Sequence, residues 1–206
     1  MSRSKSSQRW LQAHFSDHYV KKAQTEGYRS RAVYKLQEID NKEQLLKPGI
    51  TVIDLGAAPG GWAQYVSQKL QGKGRIIALD ILAMEALPGV DFIQGDFRLE
   101  SVFQALQSQV AKEGVDLLLS DMAPNFSGTV SVDIPRAMLL AELALDLASK
   151  LLRPGGTMVV KVFQGAGFEE LVKAARELFG NVTIRKPMAS RSQSREMYLL
   201  AKGFNI

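Results

Sequence analysis

The stretch Val52–Trp62, which reads VIDLGAAPGGW, decides the fold class of this 206-residue chain. It begins with a short, mostly apolar segment typical of a buried strand, and the small residues after Leu55 form a glycine-rich turn. A helical pattern follows, with apolar residues at Tyr65, Val66 and Leu70. A strand that runs through such a turn into a helix is a typical first unit of an open α/β sheet, in which ligands bind at the carboxyl ends of the strands.

Seven short segments have the composition of strands, and several are almost continuously apolar, as expected for strands buried on both faces of a parallel sheet. We predict strands at Thr51–Gly56, Arg75–Asp80, Asp91–Asp96, Val115–Asp121, Thr157–Phe163, Val182–Lys186 and Glu196–Lys202. Only the polar loop Pro187–Arg195 separates the last two, which predicts an antiparallel final strand. The expected fold is a Rossmann-like α/β domain with a seven-stranded, mostly parallel sheet and helices on both faces.

Apolar periodicity predicts the helices that cover this sheet. A helix over Ser30–Leu46 would turn Ala32, Val33, Leu36 and Ile39 inward. It would also bring Lys35, with Arg29 and Arg31 just before it, to one end of the fold. A second helix, ended by Pro154-Gly155-Gly156, is predicted from a stripe of leucines at Leu139, Leu143, Leu147 and Leu151.

The composition limits the class of protein. The chain is 46% hydrophobic and 23% charged and has no cysteine, which fits one compact domain and excludes disulfides and thiolate metal sites. No apolar run approaches the roughly 20 residues of a membrane span, and the polar first residues do not resemble a secretory signal. His14 and His18 have no evident third ligand, so we predict no metal site. We expect a soluble, cytoplasmic monomer with a disordered basic tail at 1–9 and one domain at 10–206.

The net charge of +5 is unevenly distributed along the chain. Residues 1–36 carry +6, residues 37–184 carry −5 and residues 185–206 carry +4. Basic ends on an acidic middle favour a polyanionic partner for the ends, and RNA is such a partner. Charge alone is equally compatible with two solvated basic tails. The basic residues in question include Arg29, Arg31, Arg185, Lys186, Arg191 and Arg195.

Carboxylates end three of the predicted strands beside the glycine-rich turn. Asp80 is placed to hydrogen-bond ribose hydroxyls, Asp96 to accept from the amine of an adenine, and Asp121 to face the same cleft. A single such aspartate is most often a turn or helix cap, but three at one edge favour a nucleoside-type cofactor. Gly56 and Gly60 do not have the G-x-G-x-x-G spacing of a dinucleotide site, which opposes an NAD-dependent enzyme. The acids also oppose a phosphate-rich cofactor and suit S-adenosylmethionine, which carries a sulfonium cation.

Lys161 lies inside the apolar segment Met158–Phe163. A buried ammonium is unfavourable unless it is paired or neutral, so its position requires an explanation. An edge strand with Lys161 in water is one reading. The other is a desolvated lysine held by Asp121 and Glu196, with Lys35 nearby, that acts as a base or an orienting group.

Six segments then add a family likeness in their order and spacing. They are Arg29–Ala32 (RSRA), Asp54–Trp62 (DLGAAPGGW), Ser120–Asn125 (SDMAPN), Asp133–Ala137 (DIPRA), Val160–Gly165 (VKVFQG) and Ser194–Glu196 (SRE). With them the chain resembles the FtsJ/RrmJ (RlmE) family of ribosomal RNA large-subunit ribose 2′-O-methyltransferases from Arg9 to Ala201. The resemblance implies the fold of the class I S-adenosylmethionine-dependent methyltransferases.

The same resemblance implies specific roles for residues of this chain. It implies a catalytic tetrad of Lys35, Asp121, Lys161 and Glu196, with Lys161 as the proton acceptor. It implies S-adenosylmethionine contacts at Gly60, Trp62, Asp80, Asp96 and Asp121. The implied substrate is a uridine in the A-loop of the large-subunit (23S) rRNA within the assembled 50S subunit. A 2′-O-methyltransferase for another RNA, such as tRNA or an mRNA cap, and a non-catalytic RNA-binding protein on this scaffold remain as alternatives.

Overall fold

The structure is a computed structural model that describes residues 18–191 and 193–205. The predicted basic tail and His14 lie outside these ranges, and the domain boundaries at 10–206 stay a prediction. Within the described residues the chain alternates strands and helices. The strands are β1 (Thr51–Leu55), β2 (Arg75–Asp80), β3 (Asp91–Gln94), β4 (Val115–Ser120), β5 (Leu152–Phe163), β6 (Phe179–Arg185) and β7 (Glu196–Phe204).

These strands form one sheet in the order β3-β2-β1-β4-β5-β7-β6. Strands β1 to β5 are mutually parallel, whereas β7 is antiparallel to both β5 and β6. The predicted Rossmann-like α/β fold with an antiparallel last strand is therefore confirmed. The strand order reverses between β1 and β4, and the carboxyl ends of these two strands are where a doubly wound sheet opens a crevice.

Helices cover both faces of the sheet because successive strand residues point to opposite sides. The helices are α1 (His18–Thr25), α2 (Val33–Glu43), α3 (Gly61–Leu70), α4 (Glu100–Gln109), α5 (Val130–Leu151) and α6 (Phe168–Leu178). Val52 of β1 packs with α2 and α3, whereas Ile53 and Leu55 pack with α4, α5 and α6 on the other face. None of the helices in the described ranges is long and apolar enough to cross a membrane.

Two details of the predicted helices differ in the structure. Helix α2 spans Val33–Glu43 rather than Ser30–Leu46; Val33, Leu36 and Ile39 are buried as predicted, whereas Ala32 precedes the helix and is half-buried. Helix α5 does not bury the whole leucine stripe, since Leu139 is 49% exposed. The face toward the core is instead rich in alanine, including Ala141, Ala144 and Ala148, and small side chains let the helix lie close to the sheet.

The ends of several strands also differ by a few residues from those predicted. Strand β5 begins at Leu152, directly after α5, so Pro154-Gly155-Gly156 lies inside the strand, with Pro154 and Gly155 exposed and Gly156 buried. Strand β3 ends at Gln94, which leaves Asp96 in the following loop rather than at the strand end. Asp121 follows the last residue of β4.

Candidate active site

A cavity of about 190 Å³ opens at the carboxyl ends of β1 and β4, where the strand order reverses. Helix α3 points its N-terminus at this cavity, so its first backbone amides are available to a ligand. The cavity brings the glycine-rich turn together with the segment before α2 and the end of β4. Its lining residues are Ser30, Ala32, Asp54, Gly56, Ala57, Ala58, Pro59, Gly61, Trp62 and Asp121.

Glycine is required in this turn by close approach as well as by backbone conformation. Gly56 has φ of 71°, and a Cβ there would lie 2.6 Å from Cγ of Met122. Gly60 has φ of 108°, and its Cβ would lie 3.0 Å from Arg29. Side chains at these positions would displace the segments that close around the cavity, which is why the sequence has small residues here.

Lys161 is buried, with 7% of its surface exposed, and it is paired. Its Nζ atom donates to the backbone oxygen of Asp121 at 2.8 Å and lies 2.8 Å from Oδ1 of the same residue. Oε2 of Glu196 lies 3.9 Å away on another side. An ammonium held in this way is compensated for its lost hydration. The edge-strand reading is therefore wrong, because β5 lies between β4 and β7.

Lys35 completes the group. Its Nζ lies 2.7 Å from Oε1 of Glu196, so Glu196 stands between two lysines. The structure thus brings Lys35, Asp121, Lys161 and Glu196 into one cluster next to the cavity. Four elements supply them: helix α2, the loop after β4, strand β5 and strand β7.

Two residues that sequence reasoning missed hold the carboxylates of this cluster. The hydroxyl of Tyr198 donates to Oδ1 of Asp121 at 2.5 Å, and the hydroxyl of Ser190 donates to Oε1 of Glu196 at 2.8 Å. Tyr198 pairs with Lys161 across the β5–β7 ladder, so their side chains share one face of the sheet. Its position two residues after Glu196 was the available sequence signal for Tyr198. Ser190 had none, because it belongs to a polar loop.

The charges of the cluster reinforce one another. Burial raises the pKa of Asp121, but Lys161 and Lys35 outweigh burial and hold that pKa below its usual value. Burial and the negative charges of Asp121 and Glu196 raise the pKa of Tyr198 well above its usual value. Asp121 is consequently an ionised acceptor, and the Tyr198 hydroxyl is a permanent donor to it.

Asp54 is a further residue that sequence reasoning did not single out. It lies on β1, is only 1% exposed and lines the cavity. Neither carboxyl oxygen has a hydrogen-bond partner among the residues that the structure describes. Burial, followed by the charge of Asp121, raises its pKa well above the usual value. A carboxyl group inside an otherwise apolar strand beside a glycine turn was the signal for it.

The other predicted cofactor residues have internal partners. Asp80 accepts from the backbone N–H of Ala58 at 2.9 Å and of Leu82 at 2.8 Å, and so fixes the glycine turn and the loop after β2. Asp96 pairs with Arg98 at 2.5 Å, and these hydrogen bonds lower the pKa of Asp96.

Gly60 and Trp62 stand at the start of α3. Gly60 is the residue before the helix, and its left-handed backbone lets the chain turn into α3. Trp62 is buried, and its indole N–H donates to the backbone oxygen of Ala32 at 2.8 Å. Of the predicted cofactor residues, Trp62 and Asp121 line the cavity, whereas Gly60, Asp80 and Asp96 are not among its lining residues.

Several cations predicted to meet RNA have partners within the protein. Arg29 donates to the backbone oxygens of Glu85 at 2.7 Å and Ala86 at 3.0 Å, and so ties the loop after β2 to the segment before α2. Arg31 donates to the backbone oxygen of Ala189. Two more predicted cations are also engaged, since Arg185 pairs with Glu43 at 2.7 Å and Lys186 donates to the backbone oxygen of Ser194 at 2.9 Å. Arg185 is thus paired with a carboxylate, whereas the hydrogen bonds of Arg29 and Lys186 to backbone oxygens position these cations without neutralising their charge.

Comparison with known proteins identifies the family of this chain. The sequence pattern of the FtsJ-like methyltransferases matches residues 28–204. The chain is 66% identical over its full length to the full-length ribosomal RNA large subunit methyltransferase E of Legionella pneumophila (strain Corby). It is 58% identical, over 99% of each chain, to the protein of that name from Pseudomonas paraeruginosa.

The fold has a counterpart among solved structures. A crystal structure of a ribosomal RNA methyltransferase from Plasmodium falciparum superposes with a TM-score of 0.78 at 32% identity, covering 86% of this chain and 98% of that one. Both the sequence and the architecture agree with the family pattern. The chain belongs to the FtsJ-like methyltransferase family.

Proposed function

We propose that this protein transfers a methyl group from S-adenosylmethionine to a ribose 2′-oxygen of large-subunit rRNA, at a uridine of the A-loop in the assembled 50S subunit, in the cytoplasm. The observation that carries the proposal is the buried Lys161, held by Asp121 and flanked by Glu196 beside the cavity. The printed names of the relatives from Legionella and Pseudomonas support rRNA as the acceptor. The uridine and the 2′-oxygen follow from the family resemblance of the tetrad.

The residues of the cavity fit such a cofactor. Asp54 and Asp121 give it a carboxyl lining, and Asp54 has unpartnered oxygens that a cationic ligand would compensate. When bound, S-adenosylmethionine supplies an electrophilic methyl group on a positively charged sulfur. The residues that would hold it are Gly60, Trp62, Asp80, Asp96 and Asp121. The carboxylates at 80 and 96 keep lone pairs for a nucleoside besides their present partners.

Each residue of the tetrad has its own role toward the 2′-hydroxyl of the acceptor ribose. Lys161 binds the 2′-hydroxyl and accepts its proton as the oxygen attacks the methyl group, and Asp121 and Glu196 stabilise the ammonium that results. Asp121 and Glu196 orient Lys161, and Lys35 places a second positive charge on Glu196. Most of the rate acceleration should come from holding the 2′-oxygen in line with the methyl group.

The proposed function is tested by the choice of acceptor. The purified protein is incubated with methyl-labelled cofactor and, separately, intact large ribosomal subunits, deproteinised rRNA and tRNA, and the modified ribose is mapped. We expect 2′-O-methylation of one A-loop uridine in intact subunits. Modification of tRNA would replace the acceptor in our proposal, and label in none of the three would leave the RNA-binding alternative.

A further inference from the structure

We propose that the ring of Phe126 is a stacking surface for an unpaired RNA base, either the base of the acceptor nucleotide or that of its immediate neighbour. This inference rests on the proposed function, since it assigns to the same site a contact with the acceptor RNA. Phe126 is not part of the tetrad and does not line the cofactor cavity.

Phe126 is an aromatic side chain held at the surface. It is 55% exposed, and it is the aromatic member of the exposed large hydrophobic residues in the described ranges. Its ring packs edge-on against Phe163, with centroids 5.5 Å apart and planes at 68°. Phe163 is itself buried against Ile134 and Ala137. One side of the Phe126 ring is therefore supported by the core, and the rest remains open to a ligand.

The register of the sheet places this ring pair next to the tetrad. Phe163 follows Lys161 by two residues at the end of β5, and its ring packs on Ile134 and Ala137 of α5. Their partners on β7 are Glu196 and Tyr198, opposite Phe163 and Lys161 respectively. Two residues of a strand span about 7 Å. The ring of Phe126 lies beyond that of Phe163, with centroids 5.5 Å apart, so the base of the acceptor nucleotide or of its neighbour is the part of the RNA that would meet it.

The loop that carries Phe126 is anchored on its other side. Asp133, at the start of α5, accepts hydrogen bonds from the backbone N–H and hydroxyl of Ser127 at 2.8 and 2.9 Å. It also accepts from the backbone N–H of Gly128 at 2.9 Å. Because these bonds fix the residues directly after Phe126, the ring is organised before a ligand arrives, which lowers the entropic cost of stacking.

Two exposed arginines belong to segments that neighbour the ring pair. Arg136 is exposed in the first turns of α5, close enough to Asp133 to interact with its charge. Arg195 is exposed, and its backbone oxygen accepts from the N–H of Gln164, the residue after Phe163. An aromatic surface between cations is typical of sites for unpaired RNA bases, which stack on rings while the phosphates meet Arg and Lys.

The test uses Phe126→Ala and Phe126→Trp, with Leu139→Ala as the control because Leu139 is an exposed apolar residue on the same helix–loop unit. Binding is measured by anisotropy of a labelled RNA stem-loop that carries the acceptor loop. Further RNAs lack the base at the acceptor position or at either neighbour. Calorimetry with S-adenosylhomocysteine and thermal unfolding are run on each variant.

We expect Phe126→Ala to weaken RNA binding about 5- to 100-fold, as for other base-stacking aromatics. Phe126→Trp should restore binding, and Leu139→Ala and cofactor affinity should stay unchanged. Removing the stacked base should weaken binding of the wild type and abolish the difference from Phe126→Ala.

Equal RNA affinity of Phe126→Ala and the wild type would overturn the inference. An equal loss of wild-type affinity for every base-deleted RNA would overturn it as well, because no single base would then be stacked. If Phe126→Ala does not fold, Phe126→Trp still tests the inference. Its RNA affinity must also fall when the stacked base is removed and not when another base is removed. If the wild type binds no stem-loop and methylates neither intact large subunits nor deproteinised rRNA, the proposed function fails instead. If the wild type binds and methylates RNA and Phe126→Ala does so equally well, only the stacking surface is rejected.

Discussion

Nζ of Lys35 lies 2.7 Å from Oε1 of Glu196, which joins helix α2 to the first residue of strand β7. The other oxygen of Glu196 is 3.9 Å from Lys161, so one carboxylate serves two cations. Oδ1 of Asp121 also pairs with Lys161, at 2.8 Å. The cluster therefore alternates positive and negative groups, and the position of each side chain depends on the next.

Replacing Lys161 by alanine should remove the group that binds and guides the 2′-hydroxyl. We expect kcat for methyl transfer to large subunits to fall about 10²- to 10⁴-fold, the range for a proton-transfer group. The dissociation constant for S-adenosylmethionine, measured by calorimetry, should be nearly unchanged. Lys150→Ala is the matched control, since Lys150 is an exposed lysine paired with Asp146 on α5. Substantial residual turnover in Lys161→Ala would remove Lys161 from the mechanism.

Asp80→Ala should act on cofactor binding rather than on the chemical step. A lost hydrogen bond to a charged group costs about 1.5–3 kcal/mol, which corresponds to a roughly 10- to 100-fold weaker cofactor. The backbone amides of Ala58 and Leu82 lose their acceptor as well, which loosens the glycine turn. Calorimetry with Asp91→Ala, an exposed acid on neighbouring strand β3, provides the comparison. An unchanged dissociation constant for Asp80→Ala would contradict the assignment.

Ser190 is predicted to be a positioning residue for Glu196. Its hydroxyl donates to the same carboxyl oxygen that Lys35 meets, at 2.8 Å. Ser190→Ala should lower kcat roughly fivefold, the equivalent of one hydrogen bond of about 1 kcal/mol, while KM for RNA and cofactor stays constant. Ser190→Thr, which keeps the hydroxyl, should recover part of kcat.

The control for Ser190 is Ser149→Ala, because Ser149 donates to a backbone oxygen on exposed α5. Equal thermal stability of the two alanine variants would separate positioning from folding. A rise in KM with constant kcat would show that Ser190 acts on RNA binding and not through Glu196.

Glu43 should make folding stability depend on pH. It pairs with Lys202 at 2.7 Å and Arg185 at 2.7 Å, which ties the end of α2 to β7 and β6. The hydrogen bond from Lys202, reinforced by Arg185 against the effect of burial, lowers the pKa of Glu43 below its usual 4.5. A lowered carboxyl pKa stabilises the folded state above the unfolded-state pKa, and this stabilisation is lost as pH falls through the folded-state pKa.

Glu43→Gln should therefore reduce the free energy of unfolding by about 2 kcal/mol at pH 7, and the difference from the wild type should shrink below about pH 4.5. Urea unfolding at both pH values measures it, with Glu113→Gln on the exposed loop before β4 as the control. A difference that is constant from pH 7 to acid would mean that the ion pairs do not stabilise the fold.

Much of the architecture was predictable because it follows from local pattern. The alternation of apolar strands with amphipathic helices predicts the α/β sheet, and the short polar loop before Glu196 predicts the antiparallel last strand. A lysine within an apolar strand also indicates a candidate functional residue, because a buried charge requires a partner. These inferences need only the spacing of neighbouring residues.

The partners of the side chains were decided by tertiary structure. Register across the sheet sets Tyr198 opposite Lys161, and a polar loop delivers Ser190 to Glu196. Folding also pairs Asp96 with Arg98, although sequence reasoning assigned Asp96 to a cofactor alone. It likewise pairs Arg185 with Glu43, although sequence reasoning assigned Arg185 to RNA alone.

The sequence by itself determined the class of fold, the glycine turn and the place of a lysine inside an apolar strand. Each is a property of consecutive residues, whose preferences act over a few positions. Only the tertiary structure decided that Lys35 shares Glu196 with Lys161 and that Phe126 stays open beside them. Such contacts join segments far apart in the chain, and their geometry depends on strand register and helix packing, which no local pattern specifies.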